Sequence, residues 1–371
     1  MADAFGIVTS SGNHFRVEGL QDERPIGAFS FLGRYRVVDF PVSNLSNSNI
    51  DRIQVYVSQN PRSLAEHLGT GQTYNINAKR GKLQLLFNQD SRVNEIYNTD
   101  LAAFRGNMNI IGRMHQPYVI ITPGYMVFKQ DFNKLLEDHI ASEADITLLY
   151  HKSSNAKVEH RGCNTLILNR QKGVKAIETN LGLANDRNIF MDTYIMKNEL
   201  LLELIRKAEK ISSAYTLVDI LNEENDNLDI RGVAHKGYFA SITDFKSYYD
   251  ANLELLDMNK ANELFTDGWP FYTVTTDSCP VHYYKGAKVC NSMVANGCLI
   301  EGTVENSVIG RGVEIRKGAV VKNCVILGHS IIDKNVHLEC QVVDKWARIT
   351  NVKELIATAD NPGYVKRDDV L

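Results

Sequence analysis

Two rhythms of apolar and polar residues divide the chain. From Phe5 to about Asn252, short apolar runs alternate with longer amphipathic segments. Phe5 to Val8, Ile53 to Val57, Tyr118 to Thr122 and Ile146 to Tyr150 read as buried strands, and Asn133 to Ser142 and Lys197 to Glu209 as helices. This alternation predicts a mostly parallel sheet covered on both faces by helices. The strand-end loops of such a sheet are the expected ligand sites.

After about Val289 the period becomes six. Val294 and Ile300 lie six apart, as do Ile309, Ile315 and Val321, then Ile326, Ile332 and Leu338, then Val343 and Ile349. Gly297, Gly302, Gly310, Gly312, Gly318 and Gly328 are interleaved, as corners with positive φ would require. An amphipathic helix would repeat near 3.6 residues instead. The hexad predicts a parallel β-helix in which each coil buries one apolar residue per face. The expected division is 1–252 as an α/β domain, 253–285 as a linker and 286–371 as the β-helix. Asp267-Gly-Trp-Pro270 interrupts any helix in the linker.

Composition changes this picture little. At 371 residues and 44% hydrophobic, the chain can bury two ordinary cores. A net charge of -3 argues against nucleic acid and against an anionic membrane surface as partners. Neither a signal-like N-terminus nor an apolar run of membrane-spanning length is present, so the expected location is cytoplasmic. The six cysteines are too scattered for a metal or redox motif and are expected to pack as reduced thiols.

One segment is highly specific. Gly33-Arg-Tyr-Arg-Val-Val-Asp-Phe-Pro-Val-Ser-Asn44 is similar to the Gly-Lys-Tyr-Arg-Ile-Ile-Asp-Phe-x-x-Ser-Asn motif of glucose-1-phosphate adenylyltransferases. Asp138-His139, Ala144 to Thr147, Tyr248 to Asn252 and Asn291 to Val308 resemble further stretches of that family, nearly along the whole chain. The resemblance implies a Rossmann-like, GT-A-like nucleotidyltransferase domain followed by a left-handed parallel β-helix. It also implies an assembly of four chains and the conversion of ATP and glucose 1-phosphate to ADP-glucose and pyrophosphate with Mg²⁺.

The family's catalytic stations are altered. Its Gly-rich phosphate loop is replaced by Thr9 to Arg16 with Gly12 alone remaining, although backbone N–H groups need glycines to approach phosphates. Tyr125 and Ser241 occupy the places of the two metal-binding aspartates. Neither side chain replaces a carboxylate as a hard ligand for Mg²⁺. Thr179 stands at the sugar-phosphate lysine, and Asn98 to Leu101 replace a Gly-Thr-Ala-Asp motif. The pattern resembles the noncatalytic subunit that some Gram-positive bacteria pair with a catalytic adenylyltransferase. It implies no metal or cofactor in this chain, Mg²⁺ in the partner, and a heterotetramer with a catalytic glucose-1-phosphate adenylyltransferase subunit.

In the family, basic side chains in this region help bind phosphorylated effectors, so the resemblance implies Arg24, Arg34, Arg36 and Arg52 as contacts for a phosphorylated sugar effector, and guanidinium forks suit phosphate. The alternative is arginines paired with Asp39 or Asp51, or solvated. Asp100, Asp131 and Asp145 are expected to be solvated or to serve as caps rather than to form a relocated metal pair. Tyr272, Tyr283 and Tyr284 are expected to pack between the domains. Three rival functions stay open: an active nucleotidyltransferase with its metal elsewhere, a stand-alone sugar-phosphate sensor, and a β-helix acyltransferase relying on His329 or His337.

Overall fold

A computed structural model describes residues 3–10, 15–57, 60–77, 79, 81–87 and 99–371. The first domain is built on a nine-stranded sheet. Its main path runs Val174–Thr179, Asn164–Leu168, Arg187–Lys197, Tyr118–Pro123, Ala4–Thr9, Arg52–Val57 and Lys82–Phe87; Ile146–Ser153 joins it through Arg187–Lys197 and carries Ile230–Ala234 on its other side. The sheet is mixed rather than mostly parallel. The last four strands of the path are parallel, whereas Arg187–Lys197 runs against every neighbour it has.

The physical reason lies in short returns. The Asn169 side-chain oxygen accepts from the N–H groups of Gln171 and Gly173, both at 2.8 Å. That closes a hairpin too tight for the helical crossover that parallel pairing needs.

Helix Phe132–Ser142 begins where Asp131 accepts from the backbone of Asn133 and Lys134. Helix Asn198–Ile211 buries Leu201, Leu204, Ile205 and Ala208 on the face given by their spacing. Both helices bury their apolar faces in the cores of the first domain.

The second domain is a left-handed parallel β-helix of five coils, its strands stacked into three five-stranded parallel sheets. The apolar residues read from the sequence form its interior, with Ile300, Ile315, Ile332 and Ile349 all fully buried. These residues pair coil to coil at spacings of 15 (300 to 315), 17 (315 to 332) and 17 (332 to 349), so the hexad slips once per turn. Several corners are turned by residues other than glycine: Asn306, Asn323 and Cys340 have φ of 45°, 49° and 51°. Gly318 supplies the expected positive φ, but Gly302 is needed for space, since a Cβ there would lie 2.4 Å from the Ala319 carbonyl oxygen.

One sheet of the β-helix is buried on both sides. Ile309, Ile326 and Val343 point into the coil core, while Val308, Val325 and Val342 join the core of the first domain. The segment read as a linker is also packed. Helix Phe245–Glu254 runs past Asn252, helix Met258–Leu264 follows it, and Leu255, Leu256, Leu264 and Phe271 are buried. Four cysteines are buried, but Cys279 and Cys290 are exposed. Among the described residues, no helix is long and apolar enough to cross a membrane.

Candidate functional site

The cleft lies at the ends of strands Ala4–Thr9 and Tyr118–Pro123. Gly124 donates its N–H to the Thr9 carbonyl at 2.9 Å, so the loop carrying Tyr125 crosses the end of the neighbouring strand. The chain then forms Met126–Phe128, antiparallel to Phe239–Ser241, with Met126 opposite Ser241. Ile242 donates its N–H to the Tyr125 carbonyl at 3.0 Å. Two stations 116 residues apart in sequence are thus neighbours, as a shared metal would have required.

Their own side chains fill the space. The Tyr125 hydroxyl donates to Asp192 Oδ2 at 2.5 Å, and its ring packs on Phe15 with centroids 5.2 Å apart. Ser241 Oγ lies 2.7 Å from His160 Nδ1, and the Cys163 thiol donates to Ser241 Oγ at 3.5 Å. Burial, reinforced by the Asp192 charge, holds the Tyr125 phenol well above its ordinary pKa. Burial also pushes the Cys163 thiol up to about 12 and the His160 imidazole down to about 4. At neutral pH these three groups carry no charge.

The donor set does not suit Mg²⁺. A protonated phenol committed to Asp192 and a hydroxyl committed to His160 replace the pair of hard carboxylates. Among the described residues, no group of three or more His, Cys, Asp and Glu side chains is placed to hold a metal ion.

Thr179 is exposed at the end of its strand, while the next residue, Asn180, is buried. Asn180 Nδ2 donates to the carbonyls of Ala156 (2.8 Å) and His160 (3.0 Å), and its Oδ1 accepts from the Gly182 N–H at 3.1 Å. This holds the segment 156–163 over the cleft and aims His160 at Ser241. Sequence reading missed His160 and Asp192, which belong to no station motif, and it gave no role to Asn180, which lies beside Thr179 in the altered sugar-phosphate station.

The altered phosphate loop at Ser11 to His14 and the station residue Asn98 lie outside the described residues. Thr99 caps helix Asp100–Gly106, and Asp100 accepts from the N–H groups of Leu101 and Leu217, its carboxyl raised by burial to about 6. Asp145 accepts from the Asp229 N–H at 2.9 Å.

The four arginines do not form one cluster. Arg24 is buried and pairs with Asp344 of the β-helix, whose Oδ2 also accepts from the Tyr364 hydroxyl at 2.9 Å. Neither Asp39 nor Asp51 is its partner. Arg36 is half-buried and donates to the Ser63 carbonyl. Arg34 is exposed beside Tyr35, the guanidinium 5.2 Å from the ring centroid. Arg52 opens its strand, at the end opposite the Asn60 loop that reaches back to Asp22 near Arg24.

The β-helix supplies a cation that the sequence did not suggest. Lys345 is pushed down to about 7, by burial first and then by the positive charges of Arg36 and Arg24.

Residues 5–257 match the family model described as nucleotidyl transferase, and residues 281–358 the model described as GlmU-like, C-terminal hexapeptide. The glycogen biosynthesis protein GlgD of Geobacillus stearothermophilus is 32% identical over 322 residues, covering 85% of this chain and 82% of that protein. The glucose-1-phosphate adenylyltransferase of the same organism is 30% identical over 327 residues, with the same coverage of 85% and 82%. The chain belongs to the glucose-1-phosphate adenylyltransferase family. A third relative, the glycogen biosynthesis protein GlgD of Bacillus subtilis strain 168, is 27% identical over 365 residues, 98% of this chain and 95% of that one. The family's two domains therefore account for both the cleft and the β-helix that packs against it.

Proposed function

We propose that the chain is a regulatory, noncatalytic subunit of glucose-1-phosphate adenylyltransferase, working in the cytoplasm with a catalytic chain in glycogen biosynthesis. The observation that carries this reading is the pairing of Tyr125 with Asp192 and of Ser241 with His160, which leaves the metal station with a phenol and a hydroxyl, already hydrogen-bonded, where two carboxylates would be needed. The relatives named as glycogen biosynthesis proteins support the same pathway. In a heterotetramer the catalytic chain binds Mg²⁺, and this chain acts by favouring one conformation of its partner. Such coupling is typically worth about 1–3 kcal/mol.

The effector reading narrows to the junction of the two domains. Arg36 and Lys345 share positive potential there, while Arg24 already has a carboxylate partner. A phosphorylated sugar bound at this junction would touch both domains at once, which gives a physical route from effector to assembly.

The test measures ADP-glucose formation by this chain, by the catalytic chain, and by the mixture, all with Mg²⁺. The expected result is no turnover by this chain alone and a changed rate or effector response in the mixture. Turnover by this chain alone would overturn the reading. Within the mixture, Arg36→Ala and Lys345→Ala are expected to weaken the response to a sugar phosphate at least tenfold, and Arg52→Ala to leave it unchanged.

A further inference from the structure

The junction of the two domains is held by tyrosines other than those expected there. Tyr249 donates its hydroxyl to the Asn323 carbonyl at 2.6 Å, and Tyr364 donates to Asp344 Oδ2 at 2.9 Å. Tyr283 and Tyr284, read from the sequence as packing between the domains, are exposed on the first coil, whereas Tyr272 packs on the core of the first domain.

Asp344 is the buried carboxylate of this junction, and it is fully occupied. Besides the Tyr364 hydroxyl, its Oδ2 takes the Arg24 guanidinium, and its Oδ1 accepts the Lys345 backbone N–H at 2.7 Å. The Lys345 side chain is half-buried, yet among the described residues no carboxylate lies within ion-pair distance of its ammonium.

Lys345 and Trp346 form a turn stacked between two others. Trp346 donates its N–H to the Gly328 carbonyl at 3.2 Å, and Asp368 donates its N–H to the Lys345 carbonyl at 3.1 Å. At the place of Lys345 the neighbouring turns have Gly328 and Arg367, so one flank is bare and the other cationic. Arg24 and Arg36 approach from the first domain, and His329 from the coil before. Against these cations stand Asp344, bound by Arg24, and Asp368, bound by Arg367 at 3.2 Å.

An ammonium half-buried among cations gives up its proton readily, and burial, then Arg36 and Arg24, bring Lys345 down to about 7. At neutral pH about half of it is free amine, against roughly one part in two thousand for a solvated lysine. A weaker base is also a weaker nucleophile, by about half that gain on a logarithmic scale, so a net advantage of roughly thirtyfold remains. The same surroundings attract a small dianion. Arg36 gives Nη1 to the Ser63 carbonyl, and a guanidinium carries further N–H donors.

We propose that Lys345 is a modification site, acylated without an enzyme by acyl phosphates, the small mixed anhydrides of carboxylic and phosphoric acids. Arg36 and Arg367 hold the phosphoryl group while Nζ attacks the acyl carbon. The C–N bond forms as the C–O bond to phosphate breaks, inorganic phosphate leaves with the electron pair, and the proton lost from Nζ passes to water. The amide product carries no charge, which suits a half-buried site that has no carboxylate to offer. Acylation also removes one of the two cations assigned above to the sugar-phosphate effector. That regulatory consequence, unlike the modification, rests on the effector reading.

The experiment incubates the full chain with acetyl phosphate from pH 6 to pH 10 and follows each lysine by peptide mass mapping. Expected at pH 7 is acetylation of Lys345 at least tenfold faster than that of exposed Lys285 and Lys366, with protection by inorganic phosphate. Its rate should level off above about pH 8, where that of free Nα-acetyl-lysine still climbs. Arg36→Ala, its fold checked by circular dichroism, should slow the reaction with acetyl phosphate at least tenfold and that with uncharged p-nitrophenyl acetate by less. Lys345 modified no faster than Lys285 and Lys366, or at a rate indifferent to Arg36→Ala and to inorganic phosphate, overturns the proposal. Acetylation of Lys345 that leaves the sugar-phosphate response of the mixture intact upholds the modification site and overturns the effector reading alone.

Discussion

Neutral side chains in the cleft make stability sensitive to acid. His160 rests against Ser241. His235 donates through Nε2 to the Lys129 carbonyl at 3.0 Å, so its Nδ1 accepts from His151 Nδ1–H at 3.3 Å. Burial lowers both His160 and His235 to about 4, below the 6.5 of the unfolded chain. Between those values the unfolded state takes up protons that the folded state refuses, so stability complete above 6.5 is lost as pH falls through the window. The steepest slope is about 1.4 kcal/mol per pH unit for each histidine. Urea unfolding at pH 7, 6 and 5 should show His160→Gln flattening that slope, and an unchanged slope would refute the burial argument. The loss of the carboxylate pair was legible because Tyr125 and Ser241 sit inside motifs of known chemistry. His160 and Asp192 were not, because each acquires its role only when the sheet brings distant loops together.

Elements decide which loops are held. Asn180 follows a hairpin strand and spends its amide on the backbone of the segment 156–163, fastening a stretch that contains one of the most exposed apolar residues, Val158 at 65%. Asn180→Ala removes several of those bonds together, each worth about 1 kcal/mol net. Hydrogen exchange should therefore quicken at residues 156–163 while the strands Ala4–Thr9 and Tyr118–Pro123 keep their protection. Uniform quickening would mean that the segment is not a separable unit. Strands and helices were legible from period alone, with ends displaced by only a few residues. The direction of Arg187–Lys197 was not, since an apolar run looks the same read up or down a sheet. The coil period was legible but not its true length, because the 15- and 17-residue turns appear in sequence as slips.

For the whole molecule, the junction between domains depends on one buried ion pair and one doubly buried sheet. Removing half of such a pair is costly because the other charge stays behind. Asp344→Ala should destabilise the protein by about 3–5 kcal/mol, and Arg24→Leu with Asp344→Leu should recover most of that loss. Calorimetry that finds the double variant no better than the single one would show the pair itself, rather than the stranded guanidinium, to be the source. The two-domain plan was plain from the change of rhythm near Val289. That the domains share a core was not, because Val308, Val325 and Val342 alternate with interior residues and read as ordinary strand positions.

Arg24 and Asp344 are 320 residues apart along the chain. A ribosome adding about 10 residues per second completes the surroundings of the guanidinium roughly half a minute before the carboxylate exists. During synthesis the first domain must therefore wait with a cation it cannot neutralise, exposed to chaperones and proteases. Nascent chains stalled before Asp344 should be among the shortest-lived forms of this protein in a cell.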